Sequence, residues 1–511
     1  MKRLVALLLC ACLLLCGCKG GDGYTPTGDG LSYDEDYTGP QNDPSTEEGA
    51  QQLKLPYYEA RSLNPYLCTD YTNRALFTLL YQGLFAVNRE YVAEPQLAGR
   101  YLVSEDNKTY TVYLTSSTFS DGTALTPNDV MASYTAAKES AYYSGRFLHI
   151  TDFVAGADGG ITFHLDTPIE PAYFPLLLDI PIVKADQVAL DRPIGTGPYA
   201  VSNAVDGEVL QRRSDWWCSA TLPISAETIT LYAAESTIGI RDQFEFFGLS
   251  MVCADPGSDR YADYRCDYEL WDCENGIFLY LATSANSKVF SNDAVRIALT
   301  YAIDRDSITE EFYRGFARSA TLPASPQSPF YNQNLAERYA YDGVKFAQAV
   351  KDNGMEGEKV VFLVNAEDSL RLRVARRIKT MLEDCGLEVE LQEKTGNSYV
   401  DSLKAWNFDI YLGQTKLSPN MDLSAFFATW GELSWGGVND LGAYALSLQA
   451  LENHGNYFTL HKLVMDQGLL CPILFRSYAI YAERGLISSL RPARDSIFYY
   501  STGKTLEEIQ E

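Results

Sequence analysis

Metal binding, nucleophilic catalysis and nucleotide binding each need particular residue types at particular spacings, and this chain meets none of those needs. The four histidines, His149, His164, His454 and His461, form no metal motif, and no Gly-x-Ser-x-Gly elbow presents an activated serine. Asp255, Asp259, Asp263 and Asp267 fall every fourth residue, a spacing that would line carboxylates along one helix face around a cation. Pro256-Gly257 breaks that helix and the calcium-loop spacing is absent, so a solvated loop is expected. Gly195-x-Gly197-x-x-Ala200 matches a loose dinucleotide fingerprint. Pro198 has no N–H to offer a phosphate, however, and no crossover helix follows, so a structural turn is expected. Glycoside hydrolysis needs two facing carboxylates, and nothing singles out a pair among 67 acids. Neither a catalytic set nor a cofactor is expected.

Composition narrows the classes further. With 511 residues, 46% of them apolar, the chain can bury several cores, and two or three domains are expected. A formal net charge of −26 argues against a nucleic-acid partner, which would require clustered Lys and Arg. Lys2-Arg3 followed by the apolar run Leu4–Cys16 reads as a signal peptide, too short to span a bilayer. Leu15-Cys16-Gly17-Cys18 resembles a bacterial lipobox, in which Cys18 would be acylated; Cys16 departs from the small or β-branched residue usual at its position. Residues 19–49 are rich in Gly, Asp, Thr, Ser and Pro, as in a disordered tether. Seven cysteines follow Cys18, so at least one is unpaired within a monomer. Cys253, Cys266 and Cys273 are close enough to bridge, but the sequence does not choose partners.

The elements that would position a site can be read from patterning. Tyr110, Val112 and Leu114 alternate with Thr111 and Tyr113 as in a half-buried strand, and Thr126-Pro127-Asn128-Asp129 reads as a helix start. Phe278-Leu279-Tyr280-Leu281 reads as a compact strand. Ser291-Asn292-Asp293 caps a helix with Val295, Ala298, Leu299, Ala302 and Ile303 on one face, and Ser307-x-x-Glu310 is a capping box for the next. Strands at 360–364 and 387–391 flank a helix capped by Asp368, with Leu370, Val374, Ile378, Met381 and Leu382 as its apolar stripe. That is a βαβ unit, and hence parallel sheet. Residues 408–412 add a strand, and 470–481 form a last apolar run.

Several of these stretches together resemble one family. Leu63-Asn64-Pro65, Leu79-Leu80-Tyr81-Gln82-Gly83-Leu84, Glu94-Pro95-Gln96-Leu97-Ala98, residues 104–111 and residues 119–130 follow in order, and Asn292 to Arg305 adds a second block. This arrangement is similar to that of the family 5 extracellular solute-binding proteins, the peptide- and nickel-type binding components of ABC importers. The resemblance implies an α/β, two-lobed periplasmic-binding-protein-like fold (type II, large cluster C type), with mixed sheets and a hinge between the lobes. It implies a signal peptide at 1–17, the lipidated Cys18 and tether at 18–50, and lobe 1 at 51–268 with an inserted subdomain about 86–180. Lobe 2 would span 269–482, and residues 483–511 would return to lobe 1.

By the same resemblance, the chain is a non-enzymatic lipoprotein on the outer face of the bacterial membrane. It would bind a small solute, expected to be a peptide or peptide-like molecule, as a monomer, and pass it to permease subunits. A ligand-presenting receptor of the same fold, or a surface hydrolase, is the alternative. Contacts would come from Thr69, Asp70 and Tyr71; from Phe278 and Tyr280; from Lys416 and Asp422; and from Phe475 and Arg476. Peptide-binding members resemble Trp-x-x-Asp-x-x-(Asp/Glu)-Pro-x-x-Phe, whose first acid pairs the peptide ammonium. Here Lys416 replaces the Trp and Pro419 the anchoring acid, while the later acid survives as Asp422. Asp70 is a candidate substitute carboxylate. Lys416 and Arg476 would suit a carboxylate or phosphate on the ligand, or else face solvent and pair internally. Trp406, Trp430 and Trp435 would flank the cleft or pack in a core.

Overall fold

Two strands of 16 and 13 residues, Tyr268–Thr283 and Cys471–Glu483, run antiparallel side by side, and the other elements are arranged at their two ends. The computed structural model describes residues 53–205, 207–218, 220, 222–256, 264–487 and 490–510. The signal-peptide, Cys18 and tether expectations, together with Asp259 and Asp263, lie outside the described residues. At one end Met251–Ala254 pairs with the second long strand at 479–482. At the other, Ile410–Lys416 pairs with the first at 277–283 and is followed by Lys359–Asn365 and then Glu388–Lys394. The same strand pair therefore runs through both lobes. The lobe boundary expected at 268/269 falls where the first long strand begins.

In the second lobe the central strands of the sheet are buried on both faces, which is why they read as apolar runs, whereas the edge strand Glu388–Lys394 alternates with exposed acids. Leu279 and Leu281 share one face with Val374 and Ile378 of the helix Ser369–Asp384, capped by Asp368. Phe278 and Tyr280 point to the opposite face. Lys359–Asn365 and Glu388–Lys394 pair in parallel on either side of that helix in sequence, the βαβ arrangement. One cap differs from the pattern. The helix Arg305–Tyr313 is capped by Asp304, which accepts from the Ser307 N–H; the helix begins at Arg305, so Ser307 stands at its third position and cannot serve as the cap of a box with Glu310.

Elements toward the N-terminus form the other lobe. Its four-stranded sheet has the order Leu53–Tyr57, Thr228–Ala233, Gly207–Arg212, Tyr199–Ala204. Within residues 85–178 lies a separate antiparallel sheet of Ala98–Val103, Thr109–Leu114, Gly160–Leu165 and Ile150–Ala155, with the helix Pro127–Lys138 against it. Thr126 and Asp129 form that helix's capping box. Tyr110 stacks on Phe174 at 4.2 Å inside this part. Residues beyond 490 pack here too: Tyr500 lies edge-on to Trp216 at 5.4 Å, and the Thr502 hydroxyl donates to the Pro95 carbonyl at 2.7 Å. The Gly195–Gly197 turn packs directly on backbone, since a Cβ on Gly197 would sit 2.4 Å from the Leu80 carbonyl carbon. Gly197→Ala is therefore expected to destabilise the fold by about 1–3 kcal/mol, read as a lower urea midpoint. An unchanged midpoint would show that this turn yields at no cost.

Candidate functional site: the seam between the lobes

The first long strand breaks register with its neighbour between Glu274 and Phe278, and Asn275-Gly276 fills the break. Asn-Gly normally punctuates a chain, which is why the strand reads as starting only at 278. Here it forms a bulge inside one continuous strand. Gly276 has φ +69°, and a Cβ there would sit 2.6 Å from the Arg494 guanidinium, so the position requires glycine.

On the second-lobe side of the bulge lies an aromatic wall. Phe278 stacks between Tyr280 at 5.3 Å and Phe475 at 5.0 Å, and Phe426 meets Tyr280 edge-on at 5.1 Å. All four are fully buried. Of the predicted contact residues, Phe278, Tyr280 and Phe475 are thus brought together. Tyr71 has a different partner, stacking on Tyr478 at 5.4 Å, and Thr69 is exposed.

Each predicted charged residue already has a partner, and for all but Asp70 that partner comes from a distant part of the chain. Lys416 extends its ammonium to the Asp495 carboxylate at 2.5 Å, the Tyr142 hydroxyl at 2.9 Å and the Asn275 carbonyl at 2.6 Å. Tyr142 in turn donates to Asp495 at 2.7 Å, and its ring lies 3.2 Å from the Arg74 guanidinium. Burial pushes the Lys416 ammonium down to about 7 against the pull of Asp495. Burial raises the Asp495 carboxyl, but Lys416, Arg494 and Arg74 outweigh it and hold that group below its ordinary value. Arg476 pairs with Asp255 at 2.6 Å and donates to Gln414 at 3.2 Å, the internal pairing that the sequence left open. Asp70 caps the turn at Tyr71–Arg74 and pairs with Arg61, so it is already committed.

Asp422 meets His149 across the seam. The His149 ring lies 3.2 Å from Asp422 through Nε2, 3.0 Å from the Ser424 hydroxyl, and 3.0 Å from Asp166 through Nδ1. Burial pulls the His149 pKa down, but Asp422 and Asp166 outweigh it and raise it above 6.5. Burial likewise raises Asp422, which His149 and Ser424 nonetheless hold below 3.8. The other histidines stand elsewhere: His454 pairs with Glu170, His164 is exposed and His461 is buried.

Beside the bulge a void of about 10 Å³ is lined by Arg89, Tyr91, Asp272, Glu274 and Arg494 among others. Ser325 donates to Glu274 at 2.7 Å and Tyr91 donates to it as well. Burial raises the Glu274 pKa in spite of them. Arg318 pairs with Asp272 at 2.8 Å.

The sequence reading missed Tyr142, His149, Glu274, Arg494 and Asp495. None belongs to a motif, and Arg494-Asp495 is one of several charged stretches in the return segment, with nothing in its spacing to single it out. Trp430, a candidate for the cleft, is 94% exposed instead. All seven described cysteines are free thiols. Cys253 and Cys273 lie on strands either side of Cys471–Glu483, which keeps a strand's width between them. Among the described residues no three His, Cys, Asp or Glu side chains converge as metal ligands, and no helix is long and apolar enough to cross a membrane.

A family model described as bacterial extracellular solute-binding proteins, family 5 Middle, matches residues 92–437. This chain belongs to that family. The glutathione-binding protein GsiB of Escherichia coli (strain K12) is 24% identical over 389 residues, covering 73% of this chain and 74% of the relative. The ABC transporter substrate binding protein CtaP from Listeria monocytogenes superposes with a TM-score of 0.69 at 18% identity, over 88% of this chain and 98% of that one. NikA from Brucella suis, solved in complex with Fe(III)-EDTA, gives 0.68 at 19%, over 87% and 98%. The two-lobed fold is shared throughout. The chain is an extracytoplasmic solute-binding protein of the kind that serves ABC importers.

The His149–Asp422 contact has a defined pH window. His149 is raised, so its share is fully present below about 6.5 and fades as pH rises through its folded value; Asp422 is lowered, so its share is present above about 3.8 and fades as pH falls. The clasp is therefore strongest between these limits. Relative to His149→Asn, wild type is expected to lose on the order of 1–3 kcal/mol of stability between pH 6 and pH 9; the opposite contribution of the lowered Lys416 ammonium is common to both proteins and cancels in the comparison. Equal slopes in both proteins would exclude the clasp.

Proposed function

We propose that this protein is a lipid-anchored binding subunit that takes a peptide or peptide-like solute into the seam between its lobes and hands it to a membrane permease. The lobes would be 51–268, with an inserted subdomain at 86–180 and the return at 483–511, and 269–482. One observation carries this reading. Side chains from both lobes converge on the point where the long strands cross, Lys416 from one and Tyr142 and Asp495 from the other. A solute entering there when the lobes part would touch both, and would favour the shut form by its contacts with each.

A peptide-like guest is supported by two things. GsiB is named for binding glutathione, itself a small peptide. The seam also carries both signs of charge beside an aromatic wall, which suits a zwitterion with apolar side chains. The contact residues would be those of the wall, Phe278, Tyr280 and Phe475, with Lys416, Asp422, Arg476, Tyr71, Asp70 and Thr69 around them. No catalytic role is assigned, and the protein would act as a monomer. Cys18 would carry the anchor; a single acyl chain binds a membrane only marginally, so at least two signals are needed.

Purified without washing, the protein should release a bound solute identifiable by mass spectrometry. That solute, added back at about a hundred times its Kd, should raise stability by roughly 2.7 kcal/mol in a thermal melt. If no tri- or tetrapeptide moves the melt while another solute class does, the peptide assignment fails and the importer role stands. Separately, Cys18→Ser is expected to move the protein from the membrane fraction to the medium; unchanged fractionation would remove the lipid anchor from the account.

A further inference from the structure

We propose that the seam holds its guest by a carboxylate, taken by Lys416 and Arg494 at the Asn275-Gly276 bulge, and that Asp495 is an internal carboxylate competing for the same lysine. The proposal rests on the seam being the solute site, and adds which end of the solute is gripped.

Charge balance is the first support. Three cations, Lys416, Arg494 and Arg74, bear on one carboxylate, Asp495. A fourth, Arg146, is already held by Asp179, with Nη2 at 2.7 Å. Arg74 makes no carboxylate contact; it donates to the carbonyls of Pro65 and Cys68 and to the Tyr143 hydroxyl, and lies over the Tyr142 ring. Arg494 donates to the Leu417 carbonyl and to Tyr91. The nearby acid Glu274 is tied to Tyr91 and Ser325, and burial favours its neutral form. Arg74 and Arg494 are thus buried guanidiniums whose hydrogen bonds go to carbonyls and tyrosine hydroxyls, with no carboxylate contact of their own. Buried cations in excess of their anions are costly, and an incoming anion relieves that cost.

Unmet hydrogen-bonding capacity is the second and independent support. Asn275 Nδ2, Arg494 Nε and Ser477 Oγ have no hydrogen-bond partner, and their residues are 0%, 6% and 3% exposed. The first two atoms can only donate, so what they lack is an acceptor. Both residues flank the bulge where the Lys416 ammonium bonds the Asn275 carbonyl. Gly276 lets the Arg494 guanidinium close on that backbone, as a Cβ would come within 2.6–2.9 Å of it. A carboxylate offers two acceptor oxygens in one plane, the shape that a guanidinium fork and an ammonium accept together. Beside the Lys416 ammonium itself no free carboxylate awaits an incoming ammonium, since Pro419 carries no charge and Asp495 is held by Lys416.

The test uses the full chain and two tripeptide libraries with uncharged side chains, one with free C-terminal carboxylates and one amidated, with capture read by mass spectrometry. Wild type is expected to take the free acids at least about tenfold better than the amides. Lys416→Met leaves Asp495 unpaired, so the double variant Lys416→Met/Asp495→Asn, which removes both charges, is measured beside it with melting as the folding control. Discrimination should vanish in a folded double variant, while Asp495→Asn alone should strengthen capture of the acids. Equal capture of both libraries by wild type, or undiminished discrimination in the double variant, overturns the carboxylate grip and leaves the peptide reading intact. Capture of neither library overturns both.

Discussion

Charge buried where two apolar bodies meet is the constraint from which the rest of this molecule follows. The long strands carry polar side chains through the seam because both of their ends are needed as core. Most of the charges placed there find an opposite from another part of the chain. Lys416 meets Asp495, Arg476 meets Asp255, Asp422 meets His149 and Asp272 meets Arg318. Such pairs add little net stability, because desolvation offsets most of their attraction, yet stranding one partner is expensive. A seam built this way shuts in one register and reopens at modest cost, since each released charge is rehydrated. Those are the properties required of a clamp whose closure a small solute must be able to decide.

The aromatic wall supplies what the ion pairs do not. Phe278, Tyr280, Phe426 and Phe475 contribute apolar area and a rigid surface, and they stand on strands whose opposite face is locked against the helix Ser369–Asp384. The wall is therefore positioned by the second lobe's own core and does not depend on closure. Gly413, against the Tyr280 ring at 2.3 Å from a notional Cβ, lets the ring lie flat on the sheet.

Much of this was legible in the sequence wherever local chemistry and tertiary context agree. The helix capped by Asp368 shows its stripe because one face alone is buried, and Thr126-Pro127 marks a helix start whose capping box is local. The long strand starting at Tyr268 was not legible before Phe278, since Asn275-Gly276 has the chemistry of a turn and only the neighbouring strand makes it a bulge. Trp430 misled in the opposite sense: a large aromatic near a predicted cleft lies on the surface. The partners Asp495, His149 and Glu274 were invisible for a different reason. They reach the seam from segments far apart in the chain, and a single carboxylate or imidazole carries no spacing that tells which distant lysine or acid it will face.

That asymmetry explains how one fold can serve different guests. The scaffold is specified by periodic patterns over many residues, so it survives at 16–19% identity or so among structures that superpose well, here 18% and 19%. The seam charges rest instead on a few positions that no pattern constrains. Pro419 and Lys416, where peptide-binding members of the family resemble an acid and a tryptophan, leave every strand in place while removing one negative charge and adding a positive one. The scaffold is indifferent to that exchange, since Lys416 ends its strand and finds its partners, Asp495 and Tyr142, outside the sheet.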